Sequence, residues 1–139
     1  MDREILKYLY DIQECIHNID SYIGAEKVFA TYEGNPMLQD AVERNIATIG
    51  EAMNKALKLD PDLSISFARR IVGTRNRLIH GYDDIDNIEV WNIIVNNLPV
   101  LKTEIDSLLS AGQQWYIYQP HFFTKPQRTS KKKKNETIT

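Results

Sequence analysis

The stretch DREILKYLYDIQECIHNIDSYI, residues 2–23, decides the fold class of this chain. Its large aliphatic residues recur at spacings of four, three, four, three and four from Ile5 onward. Because an α-helix turns once in about 3.6 residues, this spacing gathers them in one stripe with charged side chains opposite. The stretch therefore predicts a helix that buries one face and ends at Gly24. The stripe consists of Ile5, Leu9, Ile12, Ile16, Ile19 and Ile23.

Helical periodicity continues as far as residue 110. Breaks at "EGNP" and "DPDLS" separate a second helix, from Asn35-Pro36 to about Leu59, from a third that runs from about Ser64 to near Gly81. A fourth helix is predicted over about 87–110. No convincing alternating strand pattern precedes residue 112. Residues 1–112 are thus predicted to form an all-α antiparallel bundle of four to five helices.

The fourth helix carries two specific expectations. Its inward set is predicted to start at Ile88 and Trp91 and to continue through Leu98, Leu101 and Ile105. Pro99 is predicted to bend the helix, because a proline in a helix interior removes a hydrogen bond and clashes with the preceding turn.

Charge is distributed unevenly along the chain. Residues 1–120 hold 11 basic and 18 acidic residues, a net charge of −7, whereas the C-terminal end is basic. An acidic body argues against a broad nucleic-acid-binding face, so RNA chemistry would require a small local site, the tail or a partner. Residues 113–139 are expected to be a largely disordered extension, either a solvated charge run or an electrostatic arm.

Composition narrows the class of protein further. No apolar run approaches the roughly 18 to 20 residues of a membrane helix, so a cytoplasmic protein without membrane contact is expected. The single cysteine, Cys15, excludes an internal disulfide framework and is expected to be a small core residue. His17 and His121 lack ligand-spaced neighbours, so no metal site and no cofactor are predicted.

The stretch IVGTRNRLIHGYDD, residues 71–84, holds an unusual arginine. On a helical wheel Arg75 lies between Ile71 and Val72, at the centre of the apolar stripe. An unpaired guanidinium in a core costs several kcal/mol, so Arg75 needs a buried acidic partner, for which Glu51 is the internal candidate, or a polar cavity. His80 falls about 140° away from Arg75 on the wheel and shares its face with Asn76.

These residue types suit one kind of chemistry. A histidine titrates near neutral pH, so His80 could take a proton from a ribose 2'-hydroxyl or give one to a leaving 5'-oxygen. An arginine can hold the phosphate and stabilise the charge that develops on it. Such cleavage of RNA requires no metal. To act together, Arg75 and His80 need either a loosened helix end or a second copy of the chain across a two-fold axis.

A resemblance gives this pattern a family context. The segment RNRLIHGY, residues 75–82, resembles the Arg-x4-His-x-Tyr signature of the HEPN superfamily, specifically the toxin half of HEPN/MNT toxin-antitoxin pairs. The segments YDIQECIHNI, DAVERNIATIGEA and VWNIIVNNLPVLK are similar to that family's flanking blocks and occur in the same order.

The resemblance implies a HEPN-like bundle that forms a homodimer through the motif helix, and a metal-independent endoribonuclease toxin. Its composite cleft would take the catalytic residues Arg75, Asn76 and His80 from each chain, with Arg77 as a further phosphate contact. The apolar stripe around Arg75 would then face the second copy. A minimal nucleotidyltransferase antitoxin would silence the toxin by placing AMP on Tyr82, where a bulky anion would repel RNA.

Two other interpretations remain open on the sequence. The chain could be a non-catalytic partner of a nucleotidyltransferase, in which Arg75 and His80 hold a nucleotide or organise a complex. It could also be a helical adaptor whose Arg75 simply pairs with Glu51.

Overall fold

The computed structural model describes residues 2–80 and 85–117, with side chains as far as Gly112. All regular structure in these residues is helical, which confirms the all-α bundle. Two short helices, α2 and α5, accompany four longer ones, and a π-helical turn joins α5 to α6. The elements are α1 (Arg3–Ile23), α2 (Phe29–Glu33), α3 (Pro36–Leu59), α4 (Ala68–Ile79), α5 (Asn87–Asn92), the π turn (Ile93–Asn97) and α6 (Leu98–Ile117).

α1 ends, and α3 begins, at the residues predicted from the sequence, and local capping interactions explain these boundaries. The Asp2 side chain accepts a hydrogen bond from the Glu4 N–H at 2.9 Å, capping α1. At the other end Gly24 adopts a φ of 81°, a conformation that favours glycine. Asn35 caps α3 by accepting from the Leu38 N–H at 3.1 Å.

The core forms where α1 packs against α3 and α6, and α3 extends it to α4. Ile5, Leu9, Ile12, Ile16 and Ile19 of the predicted stripe are buried; Ile23 is half-buried at its end. The expected core position of Cys15 is confirmed. Burial, with the nearby Glu14 and Asp11 charges, raises the pKa of its thiol to about 11, so the side chain stays neutral at ordinary pH.

The fourth predicted helix is longer than expected, and its first inward residue was predicted wrongly. Ile88 is 68% exposed, whereas Val90 is completely buried. Two successive three-residue steps carry Ile88 about 120° around a helix from Ile94, which moves it off the core face. Immediately before Pro99, the Leu98 N–H donates to the carbonyl of Ile93, the bond that defines the π turn. The structure thus places a local departure from α-helical geometry directly before the proline.

The third predicted helix begins later than the sequence suggested, at Ala68 and not near Ser64. Phe67 has φ 61° and ψ 10°, a left-handed conformation that an α-helix cannot continue through. The N–H of Ser66 donates instead to the Glu104 carboxylate of α6 at 2.9 Å. The Ser66 N–H is therefore satisfied by a side chain of α6 and not by a bond within an earlier turn of α4.

The predicted boundary at residue 112 lies inside α6, which continues to Ile117. The extension expected to be disordered lies, from residue 118 onward, outside the described residues. No helix in the described part of the chain is long and apolar enough to cross a membrane.

Candidate active site

The site rests on an unusually close approach of α4 to α3 at Gly50. A β-carbon built on Gly50 would lie 2.2 Å from Cβ of Arg75 and 3.1 Å from the carbonyl oxygen of Ile71. No other residue fits there without moving one helix. The glycine at position 50 therefore brings the arginine of the motif directly over α3.

Arg75 pairs with Glu51, the internal partner named from the sequence. Its Nη2 donates to Oε2 of Glu51 in a short contact, and Lys55 approaches the other carboxylate oxygen at 3.7 Å. The Arg75 side chain keeps 24% of its surface exposed, so the pair lies at the edge of the core. Glu51 and Asn76 each accept from one of the five guanidinium N–H donors, which leaves a donor on each Nη atom.

The apolar stripe around Arg75 was expected to face a second copy of the chain. That expectation was wrong for most of the stripe, which packs within the same chain. Ala68 and Ile71 are buried, and α4 packs along α3 of the same chain. The buried side of α4 is centred between Ile71 and Thr74, so Arg75 lies at its border. Only the far edge of the stripe remains open, where Ile79 is 54% exposed.

The guanidinium of Arg75 turns toward the polar face of α4. Its Nη1 donates to Oδ1 of Asn76 at 2.9 Å. Asn76 in turn is joined to His80 through the backbone, since the His80 N–H donates to the Asn76 carbonyl at 3.1 Å. Because the arginine side chain is long, its guanidinium can reach the face of α4 that carries Asn76 and His80 without any loosening of the helix.

His80 stands at the exposed C-terminal end of α4. The helix ends at Ile79, and His80 has φ −77° and ψ 0°, outside the helical region. Asn76 and His80 are both exposed, so a phosphate group could approach both residues.

Arg77 has an acidic partner that the sequence did not reveal. Its Nη1 lies 3.1 Å from Oε2 of Glu89, and Nη2 lies 3.4 Å from Oε1, which ties the end of α4 to α5. Both side chains are at least a third exposed, so such a pair contributes at most about 1 kcal/mol. Glu89 is far from Arg77 in sequence, and no periodic signal links the two.

Tyr82, the predicted modification site, lies outside the described residues together with Gly81, Asp83 and Asp84. Asp86 is described and caps α5 by accepting a hydrogen bond from the Glu89 N–H at 2.8 Å. Within residues 2–80 and 85–112, no group of three or more His, Cys, Asp or Glu side chains is arranged to hold a metal ion.

An all-helical bundle with an Arg-x4-His motif at the end of one helix is the arrangement that the resemblance to the HEPN superfamily implies. The profile of the family described as "Ribonuclease HepT-like" matches residues 12–108. The chain therefore belongs to the HepT-like ribonuclease family, which confirms the resemblance to the HEPN superfamily.

Individual relatives cover most of the chain. The protein named "Probable ribonuclease HepT" of Thermococcus cleftensis is 30% identical over 112 residues, 78% of this chain and 98% of the relative. The protein named "Putative RNase MJ1380" of Methanocaldococcus jannaschii is 31% identical over 108 residues, 75% of this chain and 95% of the relative. The comparison with solved structures gave no match.

Proposed function

We propose that this protein is a metal-independent endoribonuclease whose catalytic residues are Arg75, Asn76 and His80. The observation that carries the proposal is the hydrogen bond from Arg75 to Asn76, which turns the guanidinium toward the face that ends in His80. Family membership and the names of the relatives support an activity on RNA.

The proposed reaction is attack of a ribose 2'-oxygen on the adjacent phosphorus. His80 removes the 2'-hydroxyl proton, the bond from phosphorus to the 5'-oxygen breaks, and the departing oxygen receives a proton. The products are a 2',3'-cyclic phosphate and a 5'-hydroxyl. The step consumes no water, and the proposed proton transfers do not involve a metal ion. Arg75, held by Glu51, stabilises the negative charge that builds up on the phosphate oxygens.

A homodimer would supply both proton-transfer partners. The base and the acid act on opposite sides of the phosphorus, and each chain contributes only one motif histidine. Two motif helices related by a two-fold axis would place one His80 on each side. Ile79 at the end of α4 is 54% exposed and Ile88 in α5 is 68% exposed, and both offer apolar surface for such an interface.

The first experiment is incubation of the purified full chain with single-stranded RNA in excess EDTA. Shortened RNA is expected, because the proposed chemistry uses only side chains. Intact RNA that is cut once Mg²⁺ is supplied would contradict metal independence. Intact RNA together with tight nucleotide binding would favour the non-catalytic partner of a nucleotidyltransferase.

We further propose that the protein is the toxin of a toxin-antitoxin pair and is silenced by a minimal nucleotidyltransferase that adds AMP to Tyr82. Tyr82 follows His80 by two residues, so an added phosphate would compete with RNA for Arg75 and Asn76. After incubation with that partner and ATP, the Tyr82 oxygen displaces pyrophosphate from ATP, so the peptide carrying Tyr82 should gain the mass of one adenylyl group, AMP less a water, and cleavage should stop. An unmodified peptide with cleavage abolished would contradict this mode of control.

A further inference from the structure

A second feature of α4 lies at its opposite end, away from the motif. A groove of about 290 Å³ opens where the loop before α4 meets the end of α3. Its lining includes the aliphatic side chains of Leu57, Leu63 and Ile65, and the side chains of Phe67, Arg69 and Arg70. The groove thus combines an apolar floor with an aromatic ring and two cations.

Phe67 presents its ring to solvent from a constrained backbone. It is 43% exposed, and its left-handed conformation is strained for a residue with a β-carbon. An exposed aromatic ring beside an apolar groove is a surface on which a nucleobase can stack. This environment differs from that of Trp91, whose ring packs against Phe29 and Tyr32.

Arg69 and Arg70 supply positive charge that no acidic side chain in the described part of the chain pairs with. α4 carries four arginines and no acidic residue. Arg75 and Arg77 are paired with Glu51 and Glu89, whereas Arg69 and Arg70 are exposed and form no ion pair with any described side chain. In a body with net charge −7, these two arginines form a local cationic surface that suits a phosphate backbone.

The acidic residues near the groove lie in the loop after α3 and in α6, and none lies in α4. Asp60 and Asp62 flank Pro61 in the loop that contributes to the lining, and Asp60 accepts the Asp62 N–H at 3.0 Å. Oε2 of Glu104, on α6, accepts from the Ser66 N–H, whereas its Oε1 is buried without a hydrogen-bond partner among the described residues. An anionic ligand is therefore favoured on the α4 side of the groove, over Arg69 and Arg70.

An open path links this groove to the motif. Arg69, Gly73, Asn76 and His80 follow one another at helical spacing on the exposed face of α4. A β-carbon on Gly73 would meet nothing within 4 Å, so no described side chain crowds the surface of α4 at this point. Arg69 and Asn76 are about 10 Å apart along the axis, which corresponds to roughly three nucleotides of a stacked strand.

We propose that the groove is a substrate subsite for single-stranded RNA. One base of the strand stacks on Phe67 over the apolar floor, its phosphates contact Arg69 and Arg70, and the strand continues along α4 to the cleavage site. This subsite rests on the proposed ribonuclease function and extends it, because it makes recognition depend on nucleotides beyond the scissile bond.

Binding is tested with fluorescein-labelled oligouridine and full-length protein carrying His80→Ala, so that the RNA stays intact. Adding Phe67→Ala is expected to weaken binding on the order of 10-fold. Adding Arg69→Ala with Arg70→Ala is expected to weaken binding and to lower the slope of log affinity against log salt by about 1.4, or about 0.7 for each lost phosphate contact. Comparing variants cancels the contribution of the basic C-terminal residues, which all of them share.

The matched control removes two positive charges elsewhere, with Arg3→Ala and Lys7→Ala on the exposed surface of α1. It should leave affinity and salt slope close to those of the parent. Equal losses in both double variants would show a general charge effect and overturn the subsite, as would unchanged binding after Phe67→Ala and the Arg69 and Arg70 changes. Circular dichroism confirms that each variant is folded.

Cleavage by the unmodified protein is measured separately with the same RNA. If the groove variants lose affinity but the unmodified protein does not cut, the groove stands as an RNA-binding surface and the catalytic proposal fails. If the protein cuts and the groove variants bind RNA normally, only the subsite fails. Groove variants that keep RNA binding but no longer co-purify with a co-expressed nucleotidyltransferase would assign the surface to that protein and overturn the proposal.

Discussion

Replacing His80 by alanine is expected to lower the rate of RNA cleavage about 10²- to 10⁴-fold, the usual contribution of a positioned acid or base. Stability should change little, because His80 is exposed and follows the last residue of α4. The Arg75–Glu51 pair is one that a purely structural arginine would form as well. His80 therefore distinguishes a ribonuclease from a helical adaptor more cleanly than Arg75 does.

The control for this substitution is His17→Ala. His17 is another exposed histidine, on α1, where it lines a groove with Tyr10 and Lys102. Single-turnover cleavage rates and thermal unfolding of both variants give the comparison. Cleavage that survives His80→Ala, or that falls equally in both variants, would sink the assignment of His80 as the proton-transfer residue.

Gly50→Ala is expected to destabilise the fold by about 1–3 kcal/mol, although alanine is normally the better helix former. The added methyl would lie 2.2 Å from Cβ of Arg75, so α3 and α4 must separate or shift. Because that contact positions the guanidinium, cleavage by the folded fraction should fall too. Urea unfolding curves and cleavage rates measure the two effects.

Gly73→Ala is the matched control, since Gly73 lies within α4 and faces open space. There the same change should stabilise the protein by about 0.5–1 kcal/mol through helix propensity alone. If both substitutions shift stability in the same direction and by similar amounts, α3 and α4 do not approach as closely at Gly50 as described.

The helices were predictable because their signals are local. The spacing of the stripe in α1, the Asn35-Pro36 start of α3 and the cap at Asp86 each act within a few residues. The start of α4 was not predictable from local signals. It is set by the left-handed backbone of Phe67 and by the hydrogen bond from Ser66 to Glu104, a residue of the distant helix α6.

The site was predictable in its residue types and less so in its arrangement. Glu51 could be named because Arg75 lies in an apolar stripe and needs an acid, and the structure confirms the pair. A wheel represents only the direction of each Cβ, so it missed that the long side chain of Arg75 reaches Asn76. It also placed Arg75 at the centre of the stripe, whereas packing against α3 leaves it at the border.

The central claim, acid–base cleavage of RNA by Arg75, Asn76 and His80, is tested most directly by the ends of the RNA fragments formed in EDTA. Attack by the 2'-oxygen predicts 2',3'-cyclic phosphate and 5'-hydroxyl ends, identified by mass spectrometry, and no cut at a position where the 2'-hydroxyl has been replaced by hydrogen. Fragments with 3'-hydroxyl and 5'-phosphate ends, or a cut at the 2'-deoxy position, would contradict it.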